Sequence, residues 1–187
     1  MNSGKSTSLL QDAYNYEERD QNVLVFKPTI DTKDDAVVSR LGLKRKVDIQ
    51  VGPDDNILDL YSLWKDANPH YDIACLLVDE AQFLSTSQVN SFFYIAVKEK
   101  TPVIAYGIRT DFQGKSFPGS QRLLEIAHDL TEMKTICRCG RKAMFNARQV
   151  NGVFQSHGEQ IGIDDGSVVY ESMCGGCYLE KVGEFPA

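Results

Sequence analysis

The sequence has no apolar run approaching the roughly 18–20 residues that a membrane-spanning helix needs. No signal-peptide pattern opens it, so the expected location is the cytoplasm. Positive charge is not in excess. Twenty lysines and arginines stand against 26 acids, a net charge of −6 with a pI near 5.1. That balance excludes a general pull toward nucleic acid, and any phosphate site must be built from local groups. There is no internal repeat and no long linker rich in Pro, Gly or Ser. Histidine is scarce, with three residues. With 42% hydrophobic, 10% aromatic and 25% charged residues, the chain is not disordered, collagenous or of low complexity. Its 187 residues can bury a real core, which predicts one domain with a small appendage.

What is present is an alternation of helical and strand patterns. Residues 5–18 read as a helix with Leu9, Leu10, Ala13 and Tyr14 on its apolar side. Residues 23–26 form a short apolar strand stopped by Pro28, and 29–46, polar and charged with no clear period, read as loop or partly disordered. Ile57, Leu60, Tyr61 and Trp64 recur at helical spacing and predict a helix over 56–66. Ile73 to Val78 is apolar without alternation, the pattern of a strand buried on both faces of a parallel sheet, and it ends in Asp79-Glu80. Ser85-x-x-Gln88 is a capping-box pattern before an amphipathic helix carrying Val89, Phe92, Phe93, Ala96 and Val97. A strand over 101–106, a helix over 120–128 and a strand over 131–136 complete the series. The expected fold class is α/β, a P-loop-like, mainly parallel sheet flanked by helices. After about residue 136 the helical signal fades and glycines and paired cysteines appear, which predicts a small zinc-binding β-module. The expected boundary puts an α/β nucleotide-binding domain at 1–136 and the zinc module with a covering loop at 137–187.

Gly4-Lys5-Ser6, followed by Thr7, is the second half of the phosphate-loop pattern G-x-x-x-x-G-K-[ST]. Backbone N–H groups at a helix N-terminus hold phosphate oxygens, the lysine reaches the β/γ-phosphates and the serine hydroxyl ligates Mg²⁺. By itself the triplet is also an ordinary helix start. Asp79 at a strand end is the matching signal, because it places a carboxylate at the sheet edge where ligands bind in open α/β folds. The first glycine of the pattern and the strand that feeds it would precede Met1. Met1 therefore reads as an internal methionine of the loop, with on the order of ten further N-terminal residues expected.

Four of the five cysteines form two close pairs, Cys137-x-Cys139 and Cys174-x-x-Cys177, while Cys75 stands alone in the apolar run. Four thiolates suit a closed, structural, tetrahedral zinc site. Core cysteines or a redox pair are the alternatives. The segment they would staple, Gly140 to Met173, reads as a functional loop. His157 in that loop reads as solvated, and His70 and His128 as helix-end or surface residues.

Taken together, the chain from Met1 to about Tyr178 resembles the zinc-containing (type II) thymidine kinases, in particular bacterial ones. The resemblance rests on Met1-Asn2-Ser3-Gly4-Lys5-Ser6-Thr7, Tyr14-Asn15-Tyr16-Glu17-Glu18-Arg19 and Val78-Asp79-Glu80-Ala81-Gln82-Phe83. It continues through Tyr106-Gly107-Ile108-Arg109-Thr110-Asp111-Phe112, Phe117-Pro118-Gly119-Ser120 and Thr135 to Ala143, and ends with Tyr170 ahead of Cys174. It implies transfer of the γ-phosphoryl of ATP to the 5′-hydroxyl of thymidine, with Mg²⁺ and a structural Zn²⁺. In the roles it implies, Gly4, Lys5, Ser6 and Thr7 hold the phosphates and metal, Asp79 is the metal-side carboxylate, and Glu80 is the general base. Phe83, Phe112 and Phe117 surround the nucleoside base, as does Ile108; for the three phenylalanines core packing is the plain alternative. The loop from about Gly158 to Met173 covers the nucleoside, with backbone donors around Ile161, Gly162 and Ile163, and with Tyr170. The resemblance further implies a homotetramer and feedback inhibition by thymidine triphosphate.

The chain departs from the family's pattern at Asp31-x-Lys33, where an acid followed by arginine is common. It departs again at Ile163-Asp164-Asp165-Gly166, where an Ile-Gly-Gly run is usual. Two other functions share some of these motifs. A nucleic-acid-driven ATPase would use Asp79-Glu80-Ala81-Gln82 as a motor box, but the chain is short for two motor domains. A zinc-ribbon binding module would be basic, whereas Asp164, Asp165, Glu171 and Glu180 flank the second cysteine pair.

Overall fold

The unbroken apolar run Ile73–Val78 forms a central strand in a computed structural model that describes residues 3–29, 35–160 and 168–183. Two compact units are seen. One comprises Gly4–Gly107 and Pro118–Leu130, the other Ile108–Phe117 and the chain from Thr131 onward.

In the first unit, helix α1 (Lys5–Glu17) leads into strand β1 (Asn22–Pro28). A short antiparallel hairpin, β2 (Ala36–Val38) with β3 (Lys44–Lys46), occupies part of the stretch expected to be irregular. The three consecutive cations Lys44-Arg45-Lys46 show no strand pattern, and Arg45 bonds Glu17 and Asp48. Strand β4 (Ile49–Val51), helix α2 (Ile57–Ala67) and β5 (Ile73–Val78) follow. A 3₁₀ turn (Ala81–Phe83), α3 (Thr86–Lys98), β6 (Val103–Ala105) and α4 (Pro118–Ile126) complete the unit. The sheet order is β4-β1-β5-β6, all parallel. Its centre is buried on both faces, which is why β1 and β5 are runs of apolar residues rather than alternations. Leu24, Phe26, Leu76 and Val78 pack with Ile57, Val89, Phe92 and Ile95 from the helices in one core. Leu9, Leu10 and Ala13 of α1 are buried as the periodicity predicts, but Tyr14 is exposed.

The capping box forms with both halves present. The Gln88 N–H donates to Ser85 Oγ (3.2 Å), and the Ser85 N–H donates to Gln88 Oε1 (2.9 Å). Helix α4 starts at Pro118, two residues earlier than the periodicity placed it, as suits a residue with no N–H to satisfy in a first turn. Its next residue lies flat against the turn that carries Glu80. A Cβ on Gly119 would stand 2.6 Å from the carbonyl oxygens of both Ala81 and Leu84. Gly119→Ala is therefore expected to destabilise the protein by about 1–3 kcal/mol, the usual range for overpacking a rigid contact. A urea-unfolding midpoint equal to the parent's would contradict that close approach.

The second unit is antiparallel. Strand β7 (Thr135–Ile136) pairs with β8 (Lys142–Ala143), and β9 (Phe145–Val150) lies between β10 (Val153–Gln155) and β11 (Val168–Met173). Helix α5 (Gly175–Val182) closes it. Two expectations are corrected here. Residues 131–136 do not extend the parallel sheet. Only Thr135 and Ile136 are extended, and the chain folds back at once through Cys137, whose N–H donates to the Arg141 carbonyl at 2.8 Å. The segment Gly140 to Met173 is not simply a loop either. Asn151 and Gly152, both at positive φ (51° and 79°), make the two-residue turn joining β9 to β10.

Candidate functional site

The candidate phosphate-side residues sit at the N-terminus of α1. Gly4 adopts φ 79°, ψ 15°, and an added Cβ would meet nothing within 4 Å. The left-handed backbone, rather than crowding, is what favours glycine there. Lys5, Ser6 and Thr7 form the first turn, whose N–H groups have no intrahelical partners and suit an anion.

Asp79 follows β5 at the C-terminal edge of the sheet, tied by its N–H to the Phe26 carbonyl at 2.9 Å. Its side chain is 3% exposed, and Oδ1 has no hydrogen-bond partner among the described residues. Burial pushes its carboxyl up to about 6, and the Glu80 charge adds to the effect. The Glu80 backbone N–H, Lys27 and Lys5 act in the opposite direction. A buried carboxylate oxygen with no hydrogen-bond partner among the described residues, within the electrostatic reach of Lys5 at the start of α1, fits a hard, oxygen-seeking cation such as Mg²⁺. Lys27, one residue past the Phe26↔Val78 pair, is a cation beside Asp79 that motif reading did not single out. Its Nζ donates to the Ala36 carbonyl at 3.1 Å.

Glu80 is half-buried in the left-handed region (φ 47°, ψ 40°), a conformation that costs on the order of 1 kcal/mol or more for a residue with a Cβ. Gln82, 1% exposed, donates from Nε2 to Glu80 Oε2 at 2.5 Å and fixes the carboxylate. The turn is anchored by the Ala81 N–H to the Tyr106 carbonyl at 2.8 Å. Phe83 ends the same 3₁₀ turn, half-buried. Cys75, fully buried in β5, has its thiol pushed up to about 11 by burial, so it is an inert core residue.

In the second unit the four cysteine sulfurs all lie within 4.8 Å of one another, with Cys139 and Cys174 at 3.5 Å. A regular tetrahedron of sulfurs about 2.3 Å from zinc has edges of about 3.8 Å, so this cluster fits the ion. Backbone N–H groups of Cys139 and Cys174 draw the Cys137 thiol down to about 6. Cys174 caps α5, and the Cys177 N–H lowers its thiol. Hydrogen bonding with the side chains of Cys139, Cys174 and Cys137 raises the Cys177 thiol to about 12. His157 is exposed and is not in the cluster.

The remaining candidates divide by placement. Phe112 and Phe117 are buried (2% and 4%), whereas Ile108 and Tyr170 are half-buried. The Tyr178 hydroxyl donates to the Phe112 carbonyl at 2.5 Å, tying residues 108–117 to α5. Ile161, Gly162 and Ile163 lie outside the described residues, as do Asp31 and Lys33. Motif reading also missed Arg148. Its guanidinium carbon stands 3.7 Å from the centre of the Phe112 ring, and Nη1 donates to the Glu159 carbonyl at 2.9 Å.

A family model described as thymidine kinase matches residues 1–178. A thymidine kinase of Enterobacteria phage T4 is 48% identical over 177 residues, covering 93% of this chain and 89% of the relative. One from Shewanella oneidensis is 46% identical, covering 93% and 90%. One from Mesorhizobium japonicum is 42% identical over 186 residues, covering 98% and 89%.

Proposed function

This chain belongs to the thymidine kinase family and is a phosphotransferase that acts on thymidine with ATP; from that premise we propose how its residues divide the work. The observation that carries the proposal is the pairing of a phosphate-loop helix start with a buried, partly unsatisfied Asp79 next to a clamped Glu80.

The α1 N-terminus with Gly4, Lys5, Ser6 and Thr7 cradles the triphosphate of ATP. Asp79 and the Ser6 hydroxyl would hold Mg²⁺, which when bound neutralises charge on the β- and γ-phosphates. Glu80 accepts the proton of the thymidine 5′-hydroxyl as that oxygen bonds to the γ-phosphorus. The bond from phosphorus to the β–γ bridging oxygen breaks, and ADP leaves. Such transfer depends mainly on position and charge stabilisation. A half-buried carboxylate held by Gln82 is suited to that task. Phe83, Ile108, Phe112, Phe117 and Tyr170, with the backbone of 161–163, are proposed to hold the nucleoside. Cys137, Cys139, Cys174 and Cys177 are proposed to bind the structural zinc.

The resemblance also supports a homotetramer, feedback inhibition by thymidine triphosphate and a cytoplasmic location. No helix among the described residues is long and apolar enough to cross a membrane. Thymidine offered with ATP is expected to yield its 5′-monophosphate only when Mg²⁺ is present. Product at background level with all three components present would overturn the proposal.

A further inference from the structure

The three-stranded sheet of the second unit shows two different faces, set by the period-2 alternation of strands. Phe145, Ala147 and Met173 pack with the cysteines and Tyr178 in the zinc module's core. Arg148 points to the other face. It sits directly opposite Tyr170 on β11 and Gln155 on β10. Directly opposed residues share a face, so Arg148 and Tyr170 are side by side.

From that position the guanidinium reaches two further groups. It lies over the Phe112 ring, and it donates to the Glu159 carbonyl at 2.9 Å. The absence of a side chain at Gly158 admits it, since a Cβ there would collide with Arg148 Nη2. Neighbouring bonds tie the same two segments together. Gln113 Nε2 donates to the Gly158 carbonyl at 2.6 Å, and Gln160 Nε2 donates to Asp111 Oδ2 at 3.1 Å. Arg148 is thus the common neighbour of Phe112, Tyr170 and the 158–160 backbone.

Its burial makes a space-filling role a poor explanation. Arg148 is 8% exposed, its partners are a ring and a backbone carbonyl, and its Nε has no partner among the described residues. A buried cation arranged this way carries a desolvation cost that a methionine of similar length would avoid. What arginine supplies and methionine does not is a planar, charged face and a fixed fork of donors.

We infer that Arg148 is a positioning residue for nucleoside binding, a clasp that sets the Phe112 ring and the 158–160 backbone against the Tyr170 strand. The inference rests on the proposed assignment of Phe112 and Tyr170 to the nucleoside, and it concerns no residue of the phosphate-side unit.

Steady-state kinetics on the zinc-loaded full chain test it. Arg148→Met is expected to raise KM for thymidine about 30-fold, the worth of a desolvated cation–π contact. KM for ATP and kcat should stay within about twofold to threefold, the pattern of lost ground-state positioning. Should the methionine variant fold poorly, Arg148→Lys serves, since it keeps charge and stem but loses the planar fork. At least about a fivefold rise in thymidine KM is expected from it.

Phe112→Leu supplies the second arm. If Arg148 acts through the ring, Arg148→Met added to Phe112→Leu should change KM by less than about threefold, a strong non-additivity. Full additivity would overturn the inference. So would an unchanged thymidine KM in both Arg148 variants. A joint rise of both KM values with loss of zinc would do the same, because it marks a merely structural residue. If Phe112→Leu raises thymidine KM and the Arg148 variants do not, the inference alone fails. If Phe112→Leu leaves thymidine KM unchanged, the nucleoside assignment of Phe112 fails and the inference falls with it.

Discussion

Replacing Glu80 by Gln is expected to lower kcat by roughly 10²- to 10⁴-fold, the usual worth of a positioned proton acceptor. That is about 3 to 5 kcal/mol of transition-state stabilisation. The substitution is a clean probe because of what it leaves in place. Glutamine has the shape of glutamate, and its carbonyl oxygen can still accept the bond from Gln82 Nε2. The left-handed backbone of residue 80 imposes the same strain on both. The fold and the 81–83 turn should therefore persist, with KM for ATP and thymidine nearly unchanged. The change also removes the charge that helps raise the Asp79 carboxyl, so a loss of activity is not the result of a more readily protonated Asp79. Single-turnover measurement of phosphoryl transfer gives the direct readout. A rate within a few-fold of the parent's would take Glu80 out of the base role and leave catalysis to positioning alone.

Cys174→Ser is expected to have an effect of another kind, on the integrity of the second unit. Zinc contributes on the order of 10 kcal/mol or more to small four-ligand sites, against total stabilities of about 5–15 kcal/mol for whole domains. The buried core around the cluster is small: Ala143, Ala147, Met173 and Tyr178 with the cysteines themselves. Cys174 also begins α5, and Tyr178 from that helix bonds the Phe112 carbonyl. Loss of one thiolate should therefore free the helix, the residues around Phe112 and the three-stranded sheet together. The expected results are zinc falling from one ion per chain toward none and a thymidine KM raised by at least about tenfold, as a binding element loses order. The phosphate-side unit has its own sheet and core and should keep its ATP affinity. Elemental analysis of the purified parent comes first. A parent without zinc, or a serine variant that binds thymidine normally, would remove the cluster from this role.

Local, short-range features of the sequence were read correctly because their physics is local. Ser85 and Gln88 are three residues apart, and the capping box they form needs nothing else. The unbroken apolar run at 73–78 reports burial on both faces whatever covers them. Both cysteine pairs are visible as spacings, and they do converge. The misreadings came where a partner decides the outcome. The β2–β3 hairpin is built of residues with no apolar alternation and is held by Arg45 reaching Glu17 and Asp48. Thr131 to Ile136 looked like one more parallel strand, yet the turn at Cys137 takes its end into a hairpin with Lys142 and Ala143.

The sequence by itself determined the α/β class, the helix that begins at Lys5, the acidic end of the central strand and the two cysteine pairs. Each depends on residue type and spacing within one segment. Only the tertiary structure decided which groups hold those residues in working order. Gln82 clamps Glu80 because the 3₁₀ turn bends it back. Lys27 stands beside Asp79 because of the parallel register of β1 and β5. A side chain at Gly119 is costly because a helix is laid on two carbonyl oxygens. Arg148 meets Phe112, Tyr170 and Glu159 because strand register and a glycine bring three distant segments to one guanidinium. Contacts of this kind are properties of a register and a packing distance, and neither is written in the spacing of residues along one stretch of chain.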